Sequence, residues 1–236
     1  MKYRDTMYLI DKKTGQLINS IEVPPVAPFE NTVMRGSPNF SEDGEFLAAA
    51  CSDGRGMLFD AAGKVLWQRE LSKPAQIDNV WINASGRDGF AAEAGVIFTT
   101  INTFNRENWQ LPTPVEHPSN NSMFVFNYDG TFKYKYRALG TMEQIDFSNN
   151  MAACAVGRNV RTHNYAAHGA VVLDLNDGTE LNFFHTEGPL QAVAISSNGK
   201  KIAGIEAPAV TPEVRSLGPI DCISGSVENK GVFHDS

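Results

Sequence analysis

Histidine, arginine and acidic side chains collect in three stretches of this 236-residue chain. Asn102 to Ser122 holds Arg106, Glu107, Trp109, Glu116 and His117. Gly157 to His168 holds Arg158, Arg161, His163, Tyr165 and His168. Ala207 to Ser226, which follows Glu206, holds Glu213 and Arg215. Neutral imidazole is a common metal ligand and titrates near neutrality, so these residues could build a metal site or an acid–base site. His163 and His168 are five apart, a spacing that matches no standard zinc signature. The run Arg158-Asn-Val-Arg161 could hold an anion, because guanidinium forks match carboxylate and phosphate. Trp109 with Leu111-Pro-Thr-Pro-Val115 offers aromatic and proline-rich material of the kind that anchors a protein partner. The plainer alternative is that loops collect polar residues whose imidazoles are solvated or bonded to backbone. The sequence contains no HExxH, GxSxG, P-loop or strand–helix GxGxxG. No metal and no cofactor is expected.

Composition narrows the classes further. A net charge of -7 argues against a general affinity for nucleic acid or an anionic membrane. No apolar run approaches the roughly 18 residues of a membrane span. The first ten residues carry charge and lack the apolar core and cleavage site of a signal peptide, which gives a cytoplasmic expectation. Three cysteines cannot form a disulfide framework. Cys51, in Leu47-Ala-Ala-Ala-Cys51, and Cys154, in Met151-Ala-Ala-Cys154, stand at matching places and read as small buried core residues.

The elements that must position these residues come from a repeat. Four segments read as two short strands joined by a turn: Tyr8 to Gly15, Met57 to Gly63, Phe124 to Gly130 and Val171 to Gly178. Their turn glycines are 48, 67 and 48 residues apart. A second signature alternates with the first: Phe40-Ser-Glu-Asp-Gly44, Ile82-Asn-Ala-Ser-Gly86, Phe147-Ser-Asn-Asn150 and Ile195-Ser-Ser-Asn-Gly199. Glycine after Asp, Asn or Ser supplies the positive φ of tight hairpins, and the flanking runs are rich in Val, Ile, Phe and Tyr. No segment keeps a helical apolar period over a dozen residues, so the chain is expected to be all-β. The unit is four strands, a to d. The second unit places them near 33–40, 45–51, 56–60 and 64–71. The third uses 76–82, 90–101, 123–127 and 131–137, and the fourth 142–147, 151–156, 170–174 and 179–185. Strands c and d open the chain near 7–11 and 16–22, and a and b close it near 190–195 and 200–206. Such units are the blades of a β-propeller, about four blades' worth over residues 1–206. Residues 207–236 are left as an irregular Pro/Gly-rich segment or a partial blade, with Gly231-Val-Phe-His-Asp235 echoing the start of a c strand.

Two elements carry a family resemblance. Phe40-Ser-Glu-Asp-Gly44 with Phe46-Leu-Ala-Ala-Ala50 resembles the FSPDG-x-x-LA element of WD40-like repeats. Phe59-Asp-Ala-Ala-Gly-Lys-Val-Leu-Trp67 resembles the D-x-x-TG-x-x-LW element of quinoprotein-type propeller repeats. The resemblance covers residues 7 to about 206 and implies the propeller fold, which hosts many roles. The Trp-Asp dipeptide of WD40 repeats in the narrow sense is absent. So are the vicinal cysteines of pyrroloquinoline quinone dehydrogenases, and that cofactor does not carry over.

In this architecture the b–c and d–a connections share one face, and the three loaded stretches are all on it, together with His185. Long loops on one face of a rigid scaffold are where function sits. Glu93 is expected to interrupt strand b at the place of the core cysteines, where an acid needs a partner or a water-filled channel. Trp67 and Trp81 are expected in the core or between blades. The first functional expectation is a non-catalytic module that docks a protein through the long loops, within a larger complex. Its binding residues would be Arg106, Trp109, His117, Arg158, Arg161, His163, Tyr165, His168 and Glu206. The alternative is an enzyme with His163, His168, Glu206 and Arg161 at the mouth of a central channel. The terminal half-blades could close a four-bladed ring, or a protein partner or second copy could complete a larger one. Unpaired edge strands favour completion by another chain or by sequence missing from this one.

Overall fold

We describe a computed structural model over residues 5–34, 36, 38–77, 80–102, 116–157, 168–207 and 222–226. The described residues contain strands and turns and no helix, in antiparallel sheets of up to four strands. The chain is all-β and built of β-propeller blades, about four blades' worth. It divides into two compact units, Met1–Lys135 and Tyr136–Ser236.

In the first unit β1 (Thr6–Ile10) pairs with β2 (Leu17–Glu22). The Asp11 carboxylate accepts from the amides of Lys13 and Thr14, and Gly15 takes φ +70° to close the turn. The second sheet runs β3 (Asn39–Phe40), β4 (Phe46–Cys51), β5 (Arg55–Asp60) and β6 (Val65–Glu70) in spatial order. Asp60 repeats the work of Asp11 by accepting from Ala62 and Lys64. One apolar cluster joins Met7, Leu9, Ile21 and Val23 of the first pair to Leu47, Ala49, Cys51, Met57 and Phe59. A second lies on the opposite face, where Ala48, Ala50 and Leu58 meet Phe98, Phe124 and Phe126. Both faces of β4 and β5 are therefore buried, which is why these strands read as continuous apolar runs.

The third sheet departs from the sequence expectation. Residues 75–82 form a separate hairpin, β7 (Ala75–Ile77) with β8 (Val80–Ile82). Strand a is instead β9 (Ala84–Ala92), followed by β10 (Gly95–Asn102), β11 (Ser122–Phe126) and β12 (Phe132–Arg137). Ser85-Gly86, read as a hairpin signal, is extended strand. Gly86 and Gly89 are there because β9 lies against β4: a Cβ on Gly86 would stand 2.5 Å from the Cys51 carbonyl oxygen, and one on Gly89 2.8 Å from the Ala49 nitrogen. The turn falls at Glu93–Ala94, so Glu93 is an exposed turn residue and does not interrupt strand b. Trp67 packs as expected, with its indole N–H donating to the Tyr128 carbonyl at 2.8 Å and its ring against Phe98 and Phe126.

The second unit contains β13 (Met142–Ser148), β14 (Met151–Val156), β15 (Gly169–Asp174) and β16 (Glu180–His185) in one sheet. A three-stranded sheet follows: β17 (Leu190–Ile195), β18 (Lys201–Glu206) and β19 (Cys222–Ser226). Ala153, Ala155, Val172 and Phe184 pack against Leu190, Val193, Ile195 and Ile202. Side chains of β13 also reach the next sheet's backbone, where Gln144 accepts from the Val193 amide and Asp146 from the Ile195 amide. The third strand beside β18 is thus 222–226; residues 231–235 lie outside the described residues. Cys51 and Cys154 are both fully buried.

Candidate functional site

The first unit carries a groove of about 280 Å³ made by connections of the predicted kind. The segment after β2 supplies Val26, Ala27 and Phe29, and the β4–β5 turn supplies Asp53. The head of β5 contributes Arg55 and the tail of β6 contributes Gln68, Arg69 and Glu70. The connection after β6 adds Ser72 and Pro74. Gly54 makes the turn possible. Its φ is +85°, and a Cβ there would meet the Ser72 hydroxyl at 2.5 Å and the Ser72 carbonyl at 2.8 Å. Its own carbonyl accepts from the amides of Leu71 and Ser72, which clamps the β6 exit to the β4–β5 turn.

Asp53 and Arg55 form the groove's polar floor. The Arg55 Nε–H donates to both Asp53 oxygens at 3.0 and 3.1 Å, and Nη2 lies 2.6 Å from Oδ2. Nη2 also donates to the Pro24 carbonyl, and Nη1 donates to Gln68 Oε1. The side chains are 0% and 8% exposed for Asp53 and Arg55. A buried charge must be paired and hydrogen-bonded, and here each is answered within the protein. The floor is electrically neutral and shaped; it does not present a bare charge to a ligand. The neighbouring Cys51 thiol is pushed up to about 12, first by burial and then by the Asp53 charge, so it is no nucleophile at neutral pH.

Three of the nine binding residues expected from sequence, His117, His168 and Glu206, are described. His117 is buried. Its Nδ1 accepts from the Ser119 amide at 3.0 Å, which leaves the proton on Nε2 to meet the Lys73 carbonyl at 2.8 Å. Both ring nitrogens are used, the imidazole is the neutral Nε2–H tautomer, and it ties the foot of the long b–c loop to the connection after β6. In the second unit His168 is buried and its Nδ1 donates to the Glu187 carbonyl at 3.0 Å, while its own carbonyl accepts from the Thr186 amide. Glu206 accepts from the Gly188 amide. His168 and Glu206 thus converge on one d–a connection, at adjacent residues. A Cβ on Gly188 would stand 2.2 Å from the Ala207 carbonyl, so only glycine fits there. Arg106, Trp109, Arg158, Arg161, His163 and Tyr165 lie outside the described residues, as do Glu107, Glu213 and Arg215. His185 ends β16 with its ring 4.6 Å from that of Phe183. Among the described residues no three His, Cys, Asp or Glu side chains come together as metal ligands.

The sequence reading missed Asp53, Arg55, Gln68 and Phe29. A signal was present: opposite charges two apart interrupt a long apolar stretch at Asp53-Gly54-Arg55. A charge in such a place has to find a partner.

The blades define a propeller-type fold, and the likeness to U3-55K agrees at that level. U3-55K matches with a TM-score of 0.55 at 13% identity, over 86% of this chain and 52% of that one. The β-propeller domain of Cps50 (Swd1) from Myceliophteria thermophila matches with a TM-score of 0.47 at 12% identity, over 86% of this chain and 60% of that one. At these identities the likeness to U3-55K speaks for fold alone. The chain spans about half of that protein's length. No family model matches, and no curated protein sequence matches. No helix among the described residues is long and apolar enough to cross a membrane.

Proposed function

We propose that this chain is a non-catalytic binding module, of the WD40-like and quinoprotein-like kind, that docks a protein partner through its b–c and d–a connections as one subunit of a larger assembly. The observation that carries the reading is the groove floored by Asp53 and Arg55. It combines apolar walls from Val26, Phe29 and Pro74 with polar groups that are already satisfied. Such a surface suits burial against a polypeptide, whose apolar side chains fill the groove while the rim residues Arg69 and Glu70 set register. His117, His168 and Glu206 support the same reading, because each spends polar atoms on holding a loop foot in place. Trp109, Arg158 and Arg161 are proposed as further binding residues on their residue types alone.

The test is isolation of the native assembly from its source cells with the wild-type chain, a Phe29→Asp variant and a Trp109→Ala variant. A stoichiometric partner that is held by the wild type and lost from either variant, with the melting curve preserved, is the expected result. A monomeric chain that carries tightly bound metal and loses it on substitution of His163 and His168 would instead establish the enzyme alternative.

A further inference from the structure

We infer that the groove over Arg55 receives a proline-rich segment of the partner, held as a polyproline helix. The inference rests on the docking proposed above and adds the kind of polypeptide that docks. At about 280 Å³ the groove is smaller than most small-molecule pockets, which run from roughly 300 to 1,000 Å³. It suits a few residues of an extended chain better than a whole ligand.

The hydrogen-bonding groups of the groove favour carbonyl oxygens. Arg55 takes up the acceptors of the floor, namely both Asp53 oxygens, the Pro24 carbonyl and Gln68 Oε1. On the wall formed after β2, the Val26 carbonyl accepts from the Phe29 amide. The Gln68 side chain is oriented by the same network. Its Oε1 is turned to Arg55 Nη1 at 3.1 Å, so the –NH2 on the other branch of the planar amide is turned away from the floor. Gln68 is exposed, and the groove therefore offers a fixed donor beside acceptors already taken. Arg69 is drawn aside, with its Nε–H donating to the Gly130 carbonyl and its guanidinium over the Trp67 ring. On the rim, Glu70 Oε1 faces the Lys73 ammonium at 3.4 Å.

An ordinary extended segment brings one N–H for every C=O, and an N–H buried without an acceptor is costly. Proline brings a C=O and no N–H. A proline-rich segment thus meets Gln68 with an acceptor and strands few donors over the floor. The polyproline helix has no internal hydrogen bonds, so its carbonyls remain available. The walls agree with this occupant. Val26 and Phe29 after β2 and Pro74 after β6 give apolar surface from two separate connections, of the kind against which proline rings pack.

The experiment pans the full 236-residue chain with a phage-displayed library of random peptides of roughly twelve residues, about four turns of polyproline helix. Recovered peptides should be rich in proline. Fluorescence anisotropy of the labelled peptides should show binding about tenfold or more weaker to Gln68→Glu than to wild type. That variant keeps an acceptor oxygen on Arg55 and puts a second oxygen where the donor stood, so its melting curve should be unchanged. Phe29→Ala should weaken binding by a similar factor; if it fails to fold, Gln68→Glu decides alone. Recovered peptides without proline enrichment, proline-rich peptides that bind Gln68→Glu as tightly as wild type, or an empty selection would overturn the inference. So would self-association of the chain that Gln68→Glu abolishes, since a second copy would then fill the groove. A native partner lost from Phe29→Asp whose docking segment lacks proline would sink this inference alone. Proline-rich peptides that fill the groove of a chain whose native assembly survives Phe29→Asp would sink the functional reading alone.

Discussion

Two strands of the first unit, β5 and β1, have the same turn chemistry and similar apolar content and opposite fates. Asp60 and Asp11 head equivalent c–d turns, and alignment on them sets Met57 against Tyr8 and Phe59 against Ile10. Met57 and Phe59 are 5% and 0% exposed, because Met7, Leu9 and Ile21 of the neighbouring pair lie over them. Tyr8 and Ile10 have no such cover among the described residues. In a stacked array a strand's burial is a property of the layer beside it rather than of its own residues. The interior sheet is sandwiched, and the terminal pair is half of a sandwich.

The largest effect should separate those positions directly. Phe59→Ala leaves a void between two sheets and should cost about 3–5 kcal/mol. Ile10→Ala at the equivalent place should change stability by no more than about 0.5 kcal/mol. Urea unfolding of both variants measures the difference, and equal losses would break the comparison. Asp53→Ala comes next. It strands the Arg55 guanidinium in a buried site and should cost about 3–5 kcal/mol, whereas Lys73→Ala, from an exposed pair with Glu70 at 3.4 Å, should leave the unfolding midpoint unchanged. Retained stability in Asp53→Ala would mean that water reaches the floor of the groove.

The two c–d turn glycines sharpen the contrast at lower amplitude. Gly15 and Gly63 both adopt left-handed φ, +70° and +81°, so alanine at either should cost about 1–2 kcal/mol of backbone strain. Only Gly63 is also crowded. A Cβ there would stand 2.5 Å from Ile21 Cδ1 and 2.7 Å from Leu9 Cδ1, while at Gly15 nothing lies within 4 Å. Gly63→Ala should therefore be the worse of the two in a thermal melt. Equal melting temperatures would show that the terminal pair shifts freely to make room.

This same asymmetry explains what could be read from sequence. The strands of the second and fourth units were legible to within a residue or two, because Asp60, Asp174 and the positive-φ glycines mark their turns by local chemistry; the exception is strand a of the second unit, expected over 33–40 and found only as β3, Asn39–Phe40. The third unit was misread because glycine has two uses. At Gly63 it supplies a backbone angle, whereas at Gly86 and Gly89 it permits contact with β4, a strand more than thirty residues earlier. Nothing local separates those uses. The surplus of length at 103–115 and 158–167 lies outside the described residues, and the groove is built instead from the short β4–β5 turn and the connections after β2 and β6. The histidines were legible only as residues with options. Whether His117 is a ligand or a tie depends on the Ser119 amide and the Lys73 carbonyl, and the latter belongs to a distant part of the chain.

The smallest effect concerns the two core thiols, one in each unit. Burial pushes Cys51 and Cys154 up to about 12 from an ordinary value near 9, so neither forms thiolate at pH 8. Native protein treated with a thiol-specific disulfide reagent should therefore leave both unmodified, while the unfolded chain exposes all three cysteines. The linkage has a definite sign. A thiol held protonated in the folded state keeps its stabilising contribution below the unfolded value and loses it as pH rises from about 9 toward 12. The midpoint of urea unfolding should fall across that alkaline window and less so in a Cys154→Ala variant. Because Cys51 lies in the cluster shared with the terminal pair and also feels Asp53, an early labelling of Cys51 alone would report that β1 and β2 lift away from the interior sheet before the rest unfolds. Simultaneous labelling of Cys51 and Cys154 would instead show that the half-sandwich is held as firmly as the whole one.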